Sequence, residues 1–390
     1  MTGLRTLVPL LRSVLSLTVI AAVTAGLLLV PAPAGAAPRK PTPAPFPAGA
    51  IATVYSSDVS SHGLVYTDVV DGFTELQKNH PAVMRQNLDT VIAVNNAAAG
   101  DRALVNRALA DEHDDLLVTM SDALGEELGE LFRKALADGR LPKTEQLLSG
   151  SLARGGGLAS STFAEKLIFN YDRPFVVAPK KINEYHRASE EGPYDDDPLS
   201  KAFPSGHTNQ ATWKAMLWAL AVPEFAAPLL VRAQEVGYNR LVMGVHYPLD
   251  VIGGRMTGLA AAADRWNDPR FRPLILAVGD EIRAELQWRC GAKLAVCIAD
   301  DTPYLGSAQR QAAVSAQRMN YDFTRIHRPA PMVVPEAAVS LLERSRPELS
   351  ASARRTLLRE SALPGGYPLD DRSARGSWQR LDLVRALLGS

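Results

Sequence analysis

Apolar positions along most of this chain recur every three or four residues, the spacing of one helix face, and alternating apolar–polar runs that would mark strands are scarce. "TELQKNHPAVMRQNLDTVIAVNNAAAG" predicts helix with a proline interruption, ending near Gly100. "DRALVNRALADEHDDLLVTMSDALGEELGELFRKALADGR" keeps the same period until Gly139 and Pro142 stop it. "SGSLARGGGLASS" breaks the pattern before a helix that begins near Thr162. A loop over 175–203 carries Pro179, Gly192, Pro193 and Pro198, and three helical stretches follow, over 207–222, 224–243 and 248–265. Past 270 the period continues in "ILAVGDEIRAELQWRC" and "AAVSLLERSRPELSASARRTLLRES", and the tail closes on a short amphipathic helix. The expectation is an all-α chain.

The N-terminus reads differently. Arg5 and Arg12 flank the start of "VLSLTVIAAVTAGLLLV", and Ala34-Gly35-Ala36 fits a small-x-small cleavage site. Residues 1–36 are expected to be a signal peptide, which directs the chain to the cell envelope, the periplasm or the medium. The alternative is a retained single-span anchor, for which the run is short. Residues 37–60 form a Pro/Ala-rich linker, expected to be extended and mobile. A helical domain is expected over 61–270, with its chemistry between 162 and 265. Residues 271–390 are a helical C-terminal extension, either packed on that core or a small second domain.

Composition narrows the function little. Hydrophobic residues make up 46% and charged residues 22% of the 390 positions, ordinary globular values. Forty-two basic residues balance 42 acidic ones, so net charge gives no pointer to nucleic acid. Any affinity for anions must come from local clustering. Cys290 and Cys297 are the two cysteines. In an exported chain a pair this close reads as a disulfide rather than a metal site, the alternative being two buried thiols.

Three short pieces carry the candidate chemistry. "KLIFNYDRP" sets Lys166 and Arg173 seven residues apart, which would place both on one helix face, with Pro174 ending that helix. "FPSGHTNQ" offers Ser205 as a helix cap, Gly206 where backbone can approach a ligand, and His207 in the first turn. Helix N-termini favour anions. "NRLVMGVHYPLD" puts Arg240 six residues before His246, and Asp250 four residues after it, with Pro248 suited to a helix start. Asp250 can fold back on the His246 ring, leaving the other ring nitrogen aimed and more basic. Each piece alone has an ordinary reading: a solvated basic face, a capped helix with an incidental histidine, a helix start with a stabilising acid.

Taken in order, the pieces make ten fixed positions, Lys-x6-Arg-Pro, Pro-Ser-Gly-His and Arg-x5-His-x3-Asp. This pattern resembles the signature of the type 2 phosphatidic acid phosphatase superfamily, which includes bacterial class A non-specific acid phosphatases, membrane lipid phosphatases and vanadium-dependent haloperoxidases. The 29 residues between Pro174 and Pro204, and the 32 between His207 and Arg240, fit too. "GYNRLVMGVHYPLDVIGG" looks most like the secreted acid-phosphatase branch. One departure is Asn239, where the family has Ser before the arginine. Asn can still donate a hydrogen bond, so it is a candidate support for the site.

The resemblance implies a helical bundle of the acid phosphatase and haloperoxidase type, with His246 attacking phosphorus to form a phosphohistidine. Asp250 would orient that ring, and His207, lacking a sequence-local acid, would serve as general acid and then base. Lys166, Arg173 and Arg240 would neutralise the phosphate, joined by the Ser205 hydroxyl and by backbone N–H groups around Ser205 and Gly206. Three cations leave no need for a metal. Vanadate would bind as an inhibitor, or as the cofactor if the chain is a haloperoxidase, the main rival reading. A lipid-phosphate substrate is a further alternative, but the spans that hold such sites at a bilayer are missing, which favours small soluble phosphate esters. The remaining histidines, His62, His80, His113, His186 and His327, lack motif partners. Tyr185, His186 and Tyr194 could line the entrance, and Asp195–Asp197 read as a solvated acidic run.

Overall fold

Two stretches, Gly206–Ala221 and Pro248–Asn267, are buried on nearly every side, and the other helices are arranged to cover them. The computed structural model describes residues 38–63, 65–153, 162–187 and 201–389. The expected signal peptide, most of "ARGGGLASS" and the acidic run around Asp195–Asp197 lie outside the described residues.

Helices come in the order α1 (Ala48–Ala52), α2 (Gly72–Asn79), α3 (Pro81–Ala98), α4 (Arg102–His113), α5 (Leu116–Thr119), α6 (Glu126–Ala137) and α7 (Pro142–Leu148). Next are α8 (Phe163–Phe169), α9 (Pro174–Val177), α10 (Gly206–Ala221), α11 (Ala226–Val242), α12 (Pro248–Asn267) and α13 (Arg272–Cys290). The chain ends with α14 (Leu294–Asp300), α15 (Ala308–Asn320), α16 (Ala351–Glu360) and α17 (Leu383–Leu388). The described residues are all-α, with short 3₁₀ turns between helices.

α10 packs against both α11 and α12, and this trio carries the second and third motif pieces. Small residues set the approach of α12 to α10. A Cβ added at Gly258 would lie 2.7 Å from the Asn209 carbonyl, and one at Gly254 would lie 2.5 Å from the Ser205 carbonyl. That closeness brings Ser205 against the first turn of α12, where its N–H donates to the Asp250 carbonyl at 2.9 Å. Phe203, wholly buried, stacks on Phe73 of α2 at 3.6 Å and meets Phe169 edge-on at 5.0 Å, pinning the loop ahead of α10.

Two expectations change. The long stretch over 101–140 is not one helix. Asp115 accepts from the Leu117 N–H and starts a new segment, and Gly125, at φ 117°, separates a 3₁₀ turn from α6. Lys166 and Arg173 do not share a helix face either. α8 closes on Asn170 in a left-handed conformation, which Asn tolerates. Arg173 is extended, as a residue before proline must be, and Pro174 opens α9 instead of ending α8.

The flanking regions are tied to this core. Within the Pro/Ala-rich stretch, expected to be mobile, the Pro41 carbonyl accepts from Arg140 at 2.9 Å, Phe46 is buried, and Asp58 pairs with Arg265 of α12 at 2.9 Å. After 270, α13 lies on α10, α15 and α17 lie on α11, and Arg255 of α12 donates to the carbonyls of Met319 and Gln379. A disulfide joins Cys290 at the end of α13 to Cys297 in α14, with the Cα atoms 6.3 Å apart. Among the described residues, no helix is long and apolar enough to cross a membrane.

Candidate active site

The site is built around the start of α12. Pro248 occupies the first turn, and Asp250 reaches back to accept from the Tyr247 N–H at 2.8 Å. The same Asp250 oxygen lies 3.1 Å from His246 Nδ1. Both side chains are buried, His246 at 1% exposure and Asp250 at 0%. On the opposite ring edge, Arg173 Nη1 lies 2.9 Å from His246 Nε2 and also donates to the Val245 carbonyl at 2.9 Å. A guanidinium has donors only, so Nε2 must accept and Nδ1 must carry the proton given to Asp250. The ring is thereby held as the tautomer whose lone pair sits on Nε2.

Electrostatics agree with a neutral ring. Burial drives the His246 imidazolium well below its ordinary range, and the charges of Arg173, Lys166, Arg240 and His207 all push the same way. The four predicted cationic or ionisable partners therefore act on one ring. Burial also pushes the Asp250 carboxyl up to about 7, opposed by the Tyr247 N–H and by Arg173 and Lys166. Arg240, on the last turn of α11, is 3% exposed. Burial pulls its guanidinium down to about 9, still a cation at neutral pH, while Asp111 opposes the shift.

Ser205 caps α10 as the sequence implied, its Oγ accepting from the Thr208 N–H at 3.3 Å and from Thr208 Oγ1 at 2.9 Å. Its own N–H is spent on the Asp250 carbonyl, which corrects the expectation that it is open to a ligand. What remains at this turn is the Ser205 hydroxyl hydrogen and the first N–H groups of α10. His207 stands in that turn, half-buried, with Nε2 3.2 Å from the Glu112 carbonyl. Asn239 does donate a hydrogen bond, its Nδ2 reaching Asp111 at 2.7 Å.

Several contributors were not singled out from sequence. Glu112, near the end of α4, forms an ion pair with Arg240. Its neighbour Asp111 is buried and takes both Asn239 and Arg232 of α11. Two consecutive acids thus grip two consecutive site residues. From α3, Asn87 accepts from the Leu249 N–H at 2.9 Å, steadying the start of α12. Asn95 donates to the carbonyls of Val242 and Asn183 at 2.8 and 3.0 Å, tying the end of α11 to the loop after α9. A signal existed: Val83, Asn87, Val91, Asn95 and Ala98 form one buried stripe, so the two Asn sit where the helical period calls for apolar residues.

Elsewhere, the other histidines make local contacts. His62 meets Asp68 at 3.1 Å, His80 separates α2 from α3, His113 ends α4, and His186 lies 3.8 Å from Glu184. His327 lines a cavity of about 540 Å³ beside α2 with Glu75 and Arg372. Tyr185 donates to the Asn95 carbonyl at 2.7 Å, and Tyr194 lies outside the described residues. No cluster of three or more potential metal-ligating side chains occurs among the described residues.

Residues 147–272 match the PAP2 superfamily, a span that contains all ten motif positions. A non-specific acid phosphatase of Salmonella typhi is 32% identical over 143 residues, which are 36% of this chain and 53% of that protein. A non-specific acid phosphatase of Providencia stuartii is 27% identical over 154 residues, 39% of this chain and 58% of that protein. An acid phosphatase of Zymomonas mobilis is 33% identical over 106 residues, 27% of this chain and 37% of that protein. The chain thus spans about half the length of the first two relatives, and the likeness is centred on the site.

Proposed function

We propose that this chain, whose residues 147–272 match the PAP2 superfamily, hydrolyses small phosphomonoesters by double displacement at His246. The observation that carries the reading is the order Asp250–His246–Arg173, which leaves the ring's lone pair on Nε2 amid the charges of Lys166, Arg173 and Arg240. An arriving phosphate takes over Arg173 and exposes Nε2. The lone pair forms the N–P bond as the ester P–O bond breaks, and its electron pair departs on the alkoxide. His207 supplies the proton that the alkoxide takes. Water then gives a proton to His207 and forms the new P–O bond, and the N–P electron pair returns to Nε2. The three cations and the N-terminus of α10 hold the charge that develops on the phosphoryl oxygens.

The scheme calls for no metal, so a chelator should leave turnover unchanged, and orthovanadate should inhibit by occupying the same clamp. On the sequence of residues 1–36 we also propose export, which N-terminal sequencing of the mature protein tests. Rapid quenching during turnover of labelled p-nitrophenyl phosphate tests the chemistry. Alkali-stable, acid-labile label should appear on His246, and His246→Ala should lose label and at least ~10³-fold of the rate. Steady turnover without label would overturn the covalent route.

A further inference from the structure

Besides Asp250, a second carboxylate stands among the cations of this site. Glu112 pairs with Arg240, which is 3% exposed, and the backbone carbonyl of the same residue holds His207 Nε2 at 3.2 Å. The position is fixed from behind: Asp111 accepts from Arg232 at 2.9 Å and from Asn239 at 2.7 Å, next to Arg240 in the chain. A loose surface acid would swing away from an arriving anion; this one has its backbone tied by those contacts and its side chain paired with Arg240. Across from Glu112 stand Arg240 on α11 and His207 on α10; Asp111 and His113 share α4, Asp114 caps its end, and Arg187 from the loop after α9 is taken by Asp114 at 2.8 Å.

A fixed carboxylate repels a fully ionised oxyanion. It also offers about four lone-pair positions, of which one guanidinium fills at most two. The rest can accept only from a ligand that brings its own proton. We propose that Glu112 is a specificity-determining residue that reads the proton on the ligand, accepting a hydrogen bond from the P–OH of a phosphomonoester monoanion and rejecting oxyanions without one. The inference rests on the phosphate-site reading above and narrows it to the singly protonated ester. A phosphomonoester loses its second proton near pH 6, so the preferred ligand form predominates in acid. Site groups that leave a buried acceptor unpaired discriminate strongly between ligands differing by one hydrogen.

The test compares inorganic phosphate with sulfate, a tetrahedral anion that carries no proton in this pH range, by equilibrium titration into the full chain at pH 5.5. Wild type should bind phosphate at least tenfold more tightly than sulfate. In Glu112→Gln the amide can donate, so sulfate should gain and the ratio should fall toward one. Asp114→Asn removes an equal charge from the same helix end and should keep the wild-type ratio. A wild type that does not discriminate, a Glu112→Gln protein that keeps the ratio, or an Asp114→Asn protein that shifts it equally would overturn the proposal while leaving the phosphate site standing. Binding of neither phosphate nor orthovanadate would instead remove the underlying reading. If Glu112→Gln does not fold, wild type alone decides: phosphate affinity should fall between pH 5.5 and 8 while sulfate affinity stays low, and a flat or rising phosphate affinity contradicts the idea.

Discussion

Arg173 Nη1 lies 2.9 Å from His246 Nε2, on the ring edge opposite the one that meets Asp250 at 3.1 Å. Because the guanidinium cannot accept, this contact fixes the tautomer of the ring as well as placing a positive charge beside it. The same Nη1 also serves the Val245 carbonyl. Lysine keeps the charge but lacks the planar fork. Arg173→Lys should therefore lower kcat/KM by about 10²–10³-fold, the usual cost of removing one preorganised donor. Steady-state kinetics on p-nitrophenyl phosphate within threefold of wild type would show that charge alone suffices.

Asp250→Asn separates charge from folding. Asn can still accept from the Tyr247 N–H, as Asp250 does at 2.8 Å, so the start of α12 should survive. The same Asp250 oxygen meets Nδ1, so an Asn oxygen left there keeps the tautomer too and loses only the carboxylate charge beside the ring, which should lower kcat/KM by about 10²–10³-fold, the cost of one preorganised electrostatic contact. Stability should move the other way. Burial raises the folded carboxyl from 3.8 to about 7, so between those values the folded state binds the extra proton. Wild type therefore gains from Asp250 below pH 4 and loses that gain as pH rises through 7. Buried His246 acts in the opposite direction, so the readout is the difference in Tm between Asp250→Asn and wild type. That difference should favour the variant increasingly from pH 4 to 8.

How much of this was legible in the sequence depended on the range of each interaction. Ser205 as cap, Pro248 at a helix start and Asp250 folding onto His246 are all local, spanning four residues or fewer, and the structure has each of them. The family resemblance brought the three pieces together without geometry. Lys166 and Arg173 were misplaced on one helix because the seven-residue spacing ignored what Asn170 and Pro174 do to the backbone between them. Asp111 and Glu112 were invisible, since they come from a helix 128 residues before their partners Asn239 and Arg240, and nothing near them resembles a motif. Only the polar residues on the buried stripe of α3 left a readable mark.

Asp111 should matter more for stability than for chemistry. It is 1% exposed and bonds both Asn239 and Arg232, itself 1% exposed. Removing one partner of a buried pair leaves the other charge uncompensated, at about 3–5 kcal/mol. Arg232 keeps Asp122 at 3.1 Å and the Thr119 carbonyl at 3.2 Å, so Asp111→Ala should fall toward the lower end of that range in urea unfolding. Pairing it with Arg232→Met should recover part of the loss, because the double variant buries no lone charge. Losses that simply add would mean that the two side chains are not energetically coupled.

Lys166 offers a test of how the site would keep His246, the proposed nucleophile, unprotonated. Burial is the main reason that His246 resists protonation, followed by Arg173 and then Lys166. On the proposed route a protonated ring has no lone pair to attack phosphorus, so the acid limb of kcat/KM would mark where His246 gains its proton. With the ring held well below its ordinary range, that limb should lie well below pH 6.5 in wild type. Lys166→Met removes one of the charges that disfavour the imidazolium, so the limb should move to higher pH, while KM rises from the lost phosphate contact. The two effects separate cleanly, because a lost contact lowers affinity at every pH and a changed nucleophile shifts the profile along the pH axis. An acid limb that stays in place while KM rises would leave Lys166 as a phosphate contact alone, with no hold on the proton of His246.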